Sequence, residues 1–197
     1  MTRVIGLRGG LGSGKSTVSH LLSELGAVVI DADRVGHEAY QQGTKAWHDL
    51  VAAFGQQIIA PDGSIDRKKL GAIVFGNAEQ LERLNRIVHP RMFEMMKERI
   101  EQLRKQGAGV VVLDAAILFE AHWDPLVEEV WVVTASEQAV VARAVARTGL
   151  PEEQIRSRLL SQMPVEEKVK RARVVIHNDG SFDDLRKKVE GLWTGLK

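Results

Sequence analysis

The chain has 197 residues, 44% of them hydrophobic and 27% charged, which is the make-up of a globular protein and excludes a globally disordered one. Twenty-seven Lys and Arg against 26 Asp and Glu leave a net charge of +1, which excludes a globally basic nucleic-acid binder. The absence of cysteine excludes disulfides, thiolate zinc sites, iron–sulfur clusters and thiol catalysis. The length predicts one domain with an insertion, folding to about 9,000 Å² of surface from about 32,000 Å² unfolded.

Arg3–Leu7 reads as a short buried strand running into a glycine cluster from Gly9 to Gly14. Lys15–Leu25 has helical spacing, with Val18, Leu21, Leu22 and Leu25 on one side and Gly26 as the stop. Ala27–Ile30 is a second buried strand ending in Asp31-Ala-Asp33, so the opening is a βαβ unit with a right-handed crossover. From about Arg34 to Gln106 the chain is rich in helix formers and punctuated at Gly43, Gly55, Pro61-Asp-Gly63, Gly76-Asn77 and His89-Pro90. This predicts a helical insertion of several short helices, then a longer one from about Arg91 to Gln106. Val110–Leu113, ending at Asp114, is a third strand and Glu129–Thr134 a fourth. A helix capped by Ser136 follows to about Thr148, then short helices after Pro151 and Pro164, a fifth strand at Val174–Ile176, and a closing helix capped by Ser181. The pattern is α/β, with short parallel strands and helices on both faces. The first residues carry no apolar stretch of signal-peptide length and no run could cross a membrane, so the expected location is the cytoplasm.

Gly9-Gly-Leu-Gly-Ser-Gly14-Lys15-Ser16 fits G-x-x-x-x-G-K-[ST], with a strand before it and a helix after it. The glycines let the backbone curl its N–H groups toward phosphate oxygens, and the helix aims its positive end at the same place. Lys15 would reach the β- and γ-phosphates, and the Ser16 hydroxyl would ligate Mg²⁺. A dinucleotide-binding reading fails on spacing, because Lys15 stands where a third glycine is required. No guanine-reading Asn-Lys-x-Asp segment is present. A small chain with a helical insertion and late arginines points to a small-molecule kinase.

Asp31 and Asp33 sit where the second strand ends; at i and i+2 in extended chain both carboxylates face one side, and one could receive or position the acceptor's proton. The competing reading makes Asp33 a helix N-cap. Asp114, ending an apolar strand, suits Mg²⁺ or its waters. Glu120 follows on what reads as a helix and can equally be a solvated residue. Arg143 and Arg147 share a helix face without an acidic partner at i±4, which suits cations for the charge developing in phosphoryl transfer. Arg156, Arg158, Lys168, Lys170, Arg171 and Arg173 follow, and the neighbouring glutamates favour a surface charge run for some of them. The six histidines have no metal-ligand spacing, and the four tryptophans are too dispersed for a base-stacking platform. His89-Pro90 is either a helix-start feature or a substrate contact.

Taken together these residues resemble the dephospho-CoA kinase family over nearly the whole chain. The resemblance runs through Ile5-Gly-Leu7, Gly9 to Thr17, Ile30-Asp-Ala-Asp33, Gly63-Ser-Ile-Asp66-Arg67, Leu84-Asn85 with His89-Pro90, and Leu113-Asp114 with Leu118-Phe119-Glu120. It continues through Arg143, Arg147, Arg158-Leu-Leu-Ser-Gln162, Lys168 and Ile176-His-Asn178. It implies a P-loop NTPase fold with a five-stranded parallel sheet flanked by helices. The nucleotide-binding core would be residues 1–33, 107–135 and 172–197, the acceptor insertion 34–106, and a helical lid 136–171. It implies ATP-dependent phosphorylation of the ribose 3′-hydroxyl of dephospho-CoA, giving CoA and ADP, with Mg²⁺ and without nucleic acid or membrane as partner; oligomeric state stays open. Asp33, Lys15 and Arg143 would be catalytic. Gly12, Ser13, Gly14, Lys15, Ser16, Thr17, Arg143, Arg147 and Asn178 would hold ATP, with Asn178 near the adenine. Asp33, Arg67, His89 and Asp114 would meet the acceptor, and Ser16 and Asp114 the metal, Asp114 through water. Three residues depart from the family pattern: Arg8 for a common Thr, Ala116 for a usual Pro and His177 for a common Asp. Another small-molecule kinase and a non-catalytic ATP-sensing module are the rival readings.

Overall fold

The computed structural model describes residues 2–196, which form two compact units: one holds the chain up to Ile30 and from Leu103 onward, the other Asp31–Gln102. The first unit is built on a five-stranded parallel sheet flanked by helices. Its strands are β1 (Arg3–Gly9), β2 (Val28–Asp31), β3 (Val110–Asp114), β4 (Glu129–Thr134) and β5 (Val174–His177), in the order β2-β3-β1-β4-β5. Val4, Ile5 and Leu7 of β1 and Val111, Val112 and Leu113 of β3 are fully buried, so these strands are apolar on both faces, as a helix-covered parallel sheet requires. β1 pairs with β3 from Arg3↔Val110 to Leu7↔Asp114, and with β4 from Ile5↔Glu129 to Gly9↔Val133.

Two helices of this unit, α1 (Lys15–Glu24) and α9 (Phe182–Thr194), share one core with the sheet through Val18, Leu22, Trp131, Val133, Val189 and Trp193. Ser181 caps α9, as the sequence predicts, and does so in a reciprocal box with Asp184. A smaller cluster joins α6 (Glu137–Thr148) to α7 (Glu152–Leu160) through Val141, Ala144 and Ile155, and Leu11 of the glycine loop packs against it. The short α8 (Val165–Lys170) precedes β5. Ser136 stands at the start of α6 but its side chain does not cap it; the Ser136 N–H donates to the Asp179 carboxylate at 2.6 Å instead.

The second unit is helical: α2 (Ala32–Ala39), α3 (Lys45–Phe54), α4 (Arg67–Val74) and most of α5 (Ala78–Lys105). Asp31, Thr44 and Asp66 cap α2, α3 and α4 through their side chains. The Trp47 indole N–H donates to the Gly63 carbonyl at 3.0 Å, and Arg99 pairs with Glu38.

Two expectations need correction. The long helix starts at Ala78, not Arg91, and runs straight through Pro90. Val88, Met92, Met96 and Ile100 make a continuous buried stripe across the proline. Pro90 and Arg86 lie on the exposed side, where the carbonyl deprived of its N–H partner can be hydrated. The second correction concerns the two aspartates: Asp31, not Asp33, is the N-cap, accepting the N–H groups of Asp33 (2.9 Å) and Arg34 (3.2 Å). Asp33 is therefore in the first turn of α2 rather than in extended chain, and the same-face argument from strand geometry does not apply.

Candidate active site

The loop between β1 and α1 is shaped by close approaches that only glycine permits. Gly14 has φ +94°, and an added Cβ would lie 2.2 Å from Asn178 Nδ2. Gly12 also leaves too little room: its added Cβ would lie 2.6 Å from the Val140 carbonyl oxygen. The loop is closed by Ser13 N–H donating to the Gly10 carbonyl at 3.2 Å. With glycine at the N-cap, α1 has no side-chain cap and no acidic residue in its first turn. The first N–H groups of a helix have no intrahelical acceptor. An uncapped, acid-free N-terminus behind a glycine cradle suits an anion supplied from outside. Ser16 is exposed there, and the Ser13 hydroxyl is buried without a hydrogen-bond partner among the described residues.

Parallel pairing places Asp114 opposite Leu7, at the carboxyl end of β3. There its carboxylate forms an ion pair with the Lys15 ammonium. Two residues 99 apart in sequence are thus brought together by the strand–loop–helix path and the register of the neighbouring strand. A carboxylate, a lysine and a serine hydroxyl at a helix start can hold a phosphate chain with a hard divalent cation, which binds through oxygens and keeps several waters.

Asn178 fastens the other flank. Its N–H donates to the Thr134 carbonyl (2.8 Å), its amide nitrogen to the Ser13 carbonyl (2.8 Å), and its own carbonyl accepts from Arg143 Nη1 (2.9 Å). One buried residue therefore ties β4, the glycine loop and α6 together. Arg147 lies one turn beyond Arg143 and is exposed. The Asp179 carboxyl is held below the usual carboxylate range, first by the Ser136 N–H and hydroxyl, with the charges of Arg143 and His177 adding to it.

Asp33, Arg67 and His89 belong to the second unit. Asp33 is exposed in the first turn of α2. Arg67 is exposed at the start of α4; burial raises the Tyr40 hydroxyl's pKa, and the Arg67 charge opposes that rise. His89 is half-buried in α5, and burial pushes its imidazole below the ordinary histidine value.

Sequence reasoning missed the role of Arg8. Its side chain is 1% exposed and forks onto Glu120, with Nη1–Oε2 at 2.6 Å and Nη2–Oε1 at 2.5 Å. Glu120 lies in a turn after β3, not on a helix. Burial raises the Glu120 carboxyl, but the Arg8 hydrogen bonds, its own backbone N–H and the charges of Arg8 and Lys168 bring it below its usual value. The departure at position 8 was visible in the sequence, but its partner 112 residues away was not.

Residues 3–184 match the family model described as dephospho-CoA kinase. A dephospho-CoA kinase of Geobacter sulfurreducens is 47% identical over 190 residues, 96% of either chain. The crystal structure of TT1252 from Thermus thermophilus is similar with a TM-score of 0.82 at 33% identity, covering 100% of this chain and 98% of that one. A dephospho-CoA kinase from Campylobacter jejuni has a TM-score of 0.69 at 25% identity, with the same coverage.

Proposed function

Since the chain belongs to the dephospho-CoA kinase family, and is accordingly a kinase that uses ATP in the final step of coenzyme A biosynthesis, we propose how its own residues divide that work. The observation that carries the assignment is the Lys15–Asp114 ion pair at the mouth of an uncapped glycine-cradled helix. Gly12, Ser13 and Gly14 shape the cradle, and the N–H groups of Lys15 and Ser16 face the donor's phosphates, with Thr17, whose own N–H donates to the Gly14 carbonyl at 3.0 Å, beside them. Lys15 exchanges its carboxylate partner for phosphate oxygens. That exchange frees Asp114, which with Ser16 would hold Mg²⁺, directly or through water. Bound there, the ion would supply charge neutralisation for the phosphate chain. Arg143 and Arg147 add cations for the equatorial oxygens, and the Asn178 buckle fixes the loop's position.

Asp33 receives or positions the proton of the acceptor's ribose 3′-hydroxyl as that oxygen attacks the γ-phosphorus of ATP. The oxygen–phosphorus bond forms as the bond to the β-phosphate oxygen breaks, leaving ADP and CoA. Arg67 and His89 are assigned to the acceptor, and residues 136–171 to a lid that excludes water. No helix among the described residues is long and apolar enough to cross a membrane; a cytoplasmic location belongs with this proposal.

The test is ADP release from ATP and Mg²⁺ with dephospho-CoA, beside AMP, CMP, adenosine and shikimate. Release with dephospho-CoA alone, with CoA identified by mass, is expected. Asp33→Asn is expected to keep ATP affinity while turnover falls about 10²–10⁴-fold. Unchanged turnover in that variant removes Asp33 from the chemistry.

A further inference from the structure

One largely buried cation, inside the segment assigned to the lid, has no role of its own in the assignments above. Lys168, in α8, is only 5% exposed, yet its ammonium has no hydrogen bond or ion pair within reach among the described residues. It lines a cavity of about 550 Å³ together with Gly10, Leu11, Ser13 and Gln162. Lys168 Nζ stands 3.6 Å from the point that a Gly10 Cβ would occupy, at the glycine loop itself. Gln162 Oε1 accepts the Leu11 N–H at 3.4 Å, which brings the segment leading into α8 onto the same loop.

The surroundings explain why Lys168 stays unpaired. Glu120 is the carboxylate that acts on it, but both Glu120 oxygens are engaged by Arg8. Phe119 lies under two guanidinium groups, Arg8 at 4.8 Å and Arg171 at 3.8 Å from the ring centre, and Arg171 is 3.6 Å from Asp124. Arg8 is thus balanced by Glu120 and Arg171 by Asp124, and the surplus charge of the group is the Lys168 ammonium. Burial, and then the Arg8 charge, push the lysine below its ordinary pKa, with Glu120 opposing. Holding a largely buried cation at a cavity wall without a counter-ion is costly, and such a site beside a phosphate cradle is completed by an anion.

We propose that Lys168 is a further phosphate-binding residue of the nucleotide site, a second lysine acting on the phosphate chain of ATP with Lys15, and that the Arg8–Glu120 pair positions it at Gly10 without neutralising it. Lys168 is the residue that touches the phosphate; Arg8 and Glu120 are positioning residues. The proposal rests on the phosphate-loop reading of the preceding section and extends it to α8.

The experiment measures ATP and adenosine affinity by calorimetry, and the denaturation midpoint without nucleotide, for the full chain and its Lys168→Met, Lys168→Arg, Glu120→Gln and Lys15→Ala variants. Lys168→Met is expected to weaken ATP binding ~10–100-fold, the loss that goes with one hydrogen bond to a charged group, while adenosine binding is unchanged. Lys168→Arg keeps the charge and restores most of the affinity. Without nucleotide, Lys168→Met is expected to unfold no earlier than the parent, because it removes an unmatched buried charge; a structural ion-pairing role would lower the midpoint. Glu120→Gln weakens ATP binding less than Lys168→Met, and adds nothing when combined with it. Unchanged ATP affinity in Lys168→Met, with Lys15→Ala impaired, overturns this proposal alone. Unchanged affinity in both overturns the phosphate-loop reading as well. Additive losses from Glu120→Gln and Lys168→Met overturn the positioning role.

Discussion

Gly14→Ala perturbs the loop at a single methyl group, and its consequence can be worked from two separable terms. The first is backbone: Gly14 has φ +94°, outside the range that a side chain tolerates, and an L-residue in left-handed conformation costs about 1–2 kcal/mol. The second is steric. The new methyl would lie 2.2 Å from Asn178 Nδ2, the atom that donates to the Ser13 carbonyl, so the amide must leave. Stranding those buried polar groups costs about 1–3 kcal/mol more, for a total of about 2–5 kcal/mol. Gly149→Ala isolates the first term: Gly149 is the C-cap of α6 at φ +68°, and nothing lies within 4 Å of an added Cβ. Urea denaturation of both variants should show Gly14→Ala to be the more destabilised. In an Asn178→Ala background, the cost of Gly14→Ala should shrink to that of Gly149→Ala. Equal costs for the two glycines, or strict additivity with Asn178→Ala, would refute the clash and with it the view of Asn178 as the loop's fastening.

Two further predictions concern stability. Asp66→Ala removes the acceptor of the Lys68 and Lys69 N–H groups at the start of α4 and should cost about 1 kcal/mol, with Asn restoring most of it; urea titration decides. Because the Glu120 carboxyl is held below its usual value in the folded protein, its stabilising contribution is complete above the ordinary carboxylate pKa and fades as pH falls through the lowered one. The midpoint gap between the parent and Glu120→Gln should therefore stay constant near neutrality and close in acid, below about pH 4–5. A gap that widens in acid would contradict the sign of the shift.

The sequence displayed whatever is local and periodic. The five strands are short apolar runs, the capping box at Ser181 is spelled out over four residues, and the phosphate loop carries its glycines, lysine and serine in one stretch. Pro90 misled because a proline reads as a boundary, while the four buried residues that carry the helix past it were hidden among charged neighbours. Asp31 and Asp33 are equally good caps on paper; two backbone hydrogen bonds choose between them. The Arg8–Glu120 pair is set by tertiary approach across 112 residues, which no spacing rule encodes. Lys168 sits in a run with Lys170, Arg171 and Arg173 that resembles a solvated face, and only packing distinguishes the one buried member.

The position of β1 has a consequence for how the protein is made. It lies in the middle of the sheet and hydrogen-bonds only to strands that come roughly 100 residues later in the chain. At about 5–20 residues per second, a ribosome leaves β1 without either neighbour for about 5–20 s. During that interval the whole of Asp31–Gln102 emerges, a segment whose helices and caps are satisfied by contacts within itself. The helical unit can therefore form while Val4, Ile5 and Leu7 are still bare, and the arrival of β3 is the event that first gives that apolar strand an edge to join. A nascent chain stalled just before Val110 emerges would expose the most buried strand of the finished enzyme, which makes that interval the one in which a chaperone or an aggregation partner has most to gain.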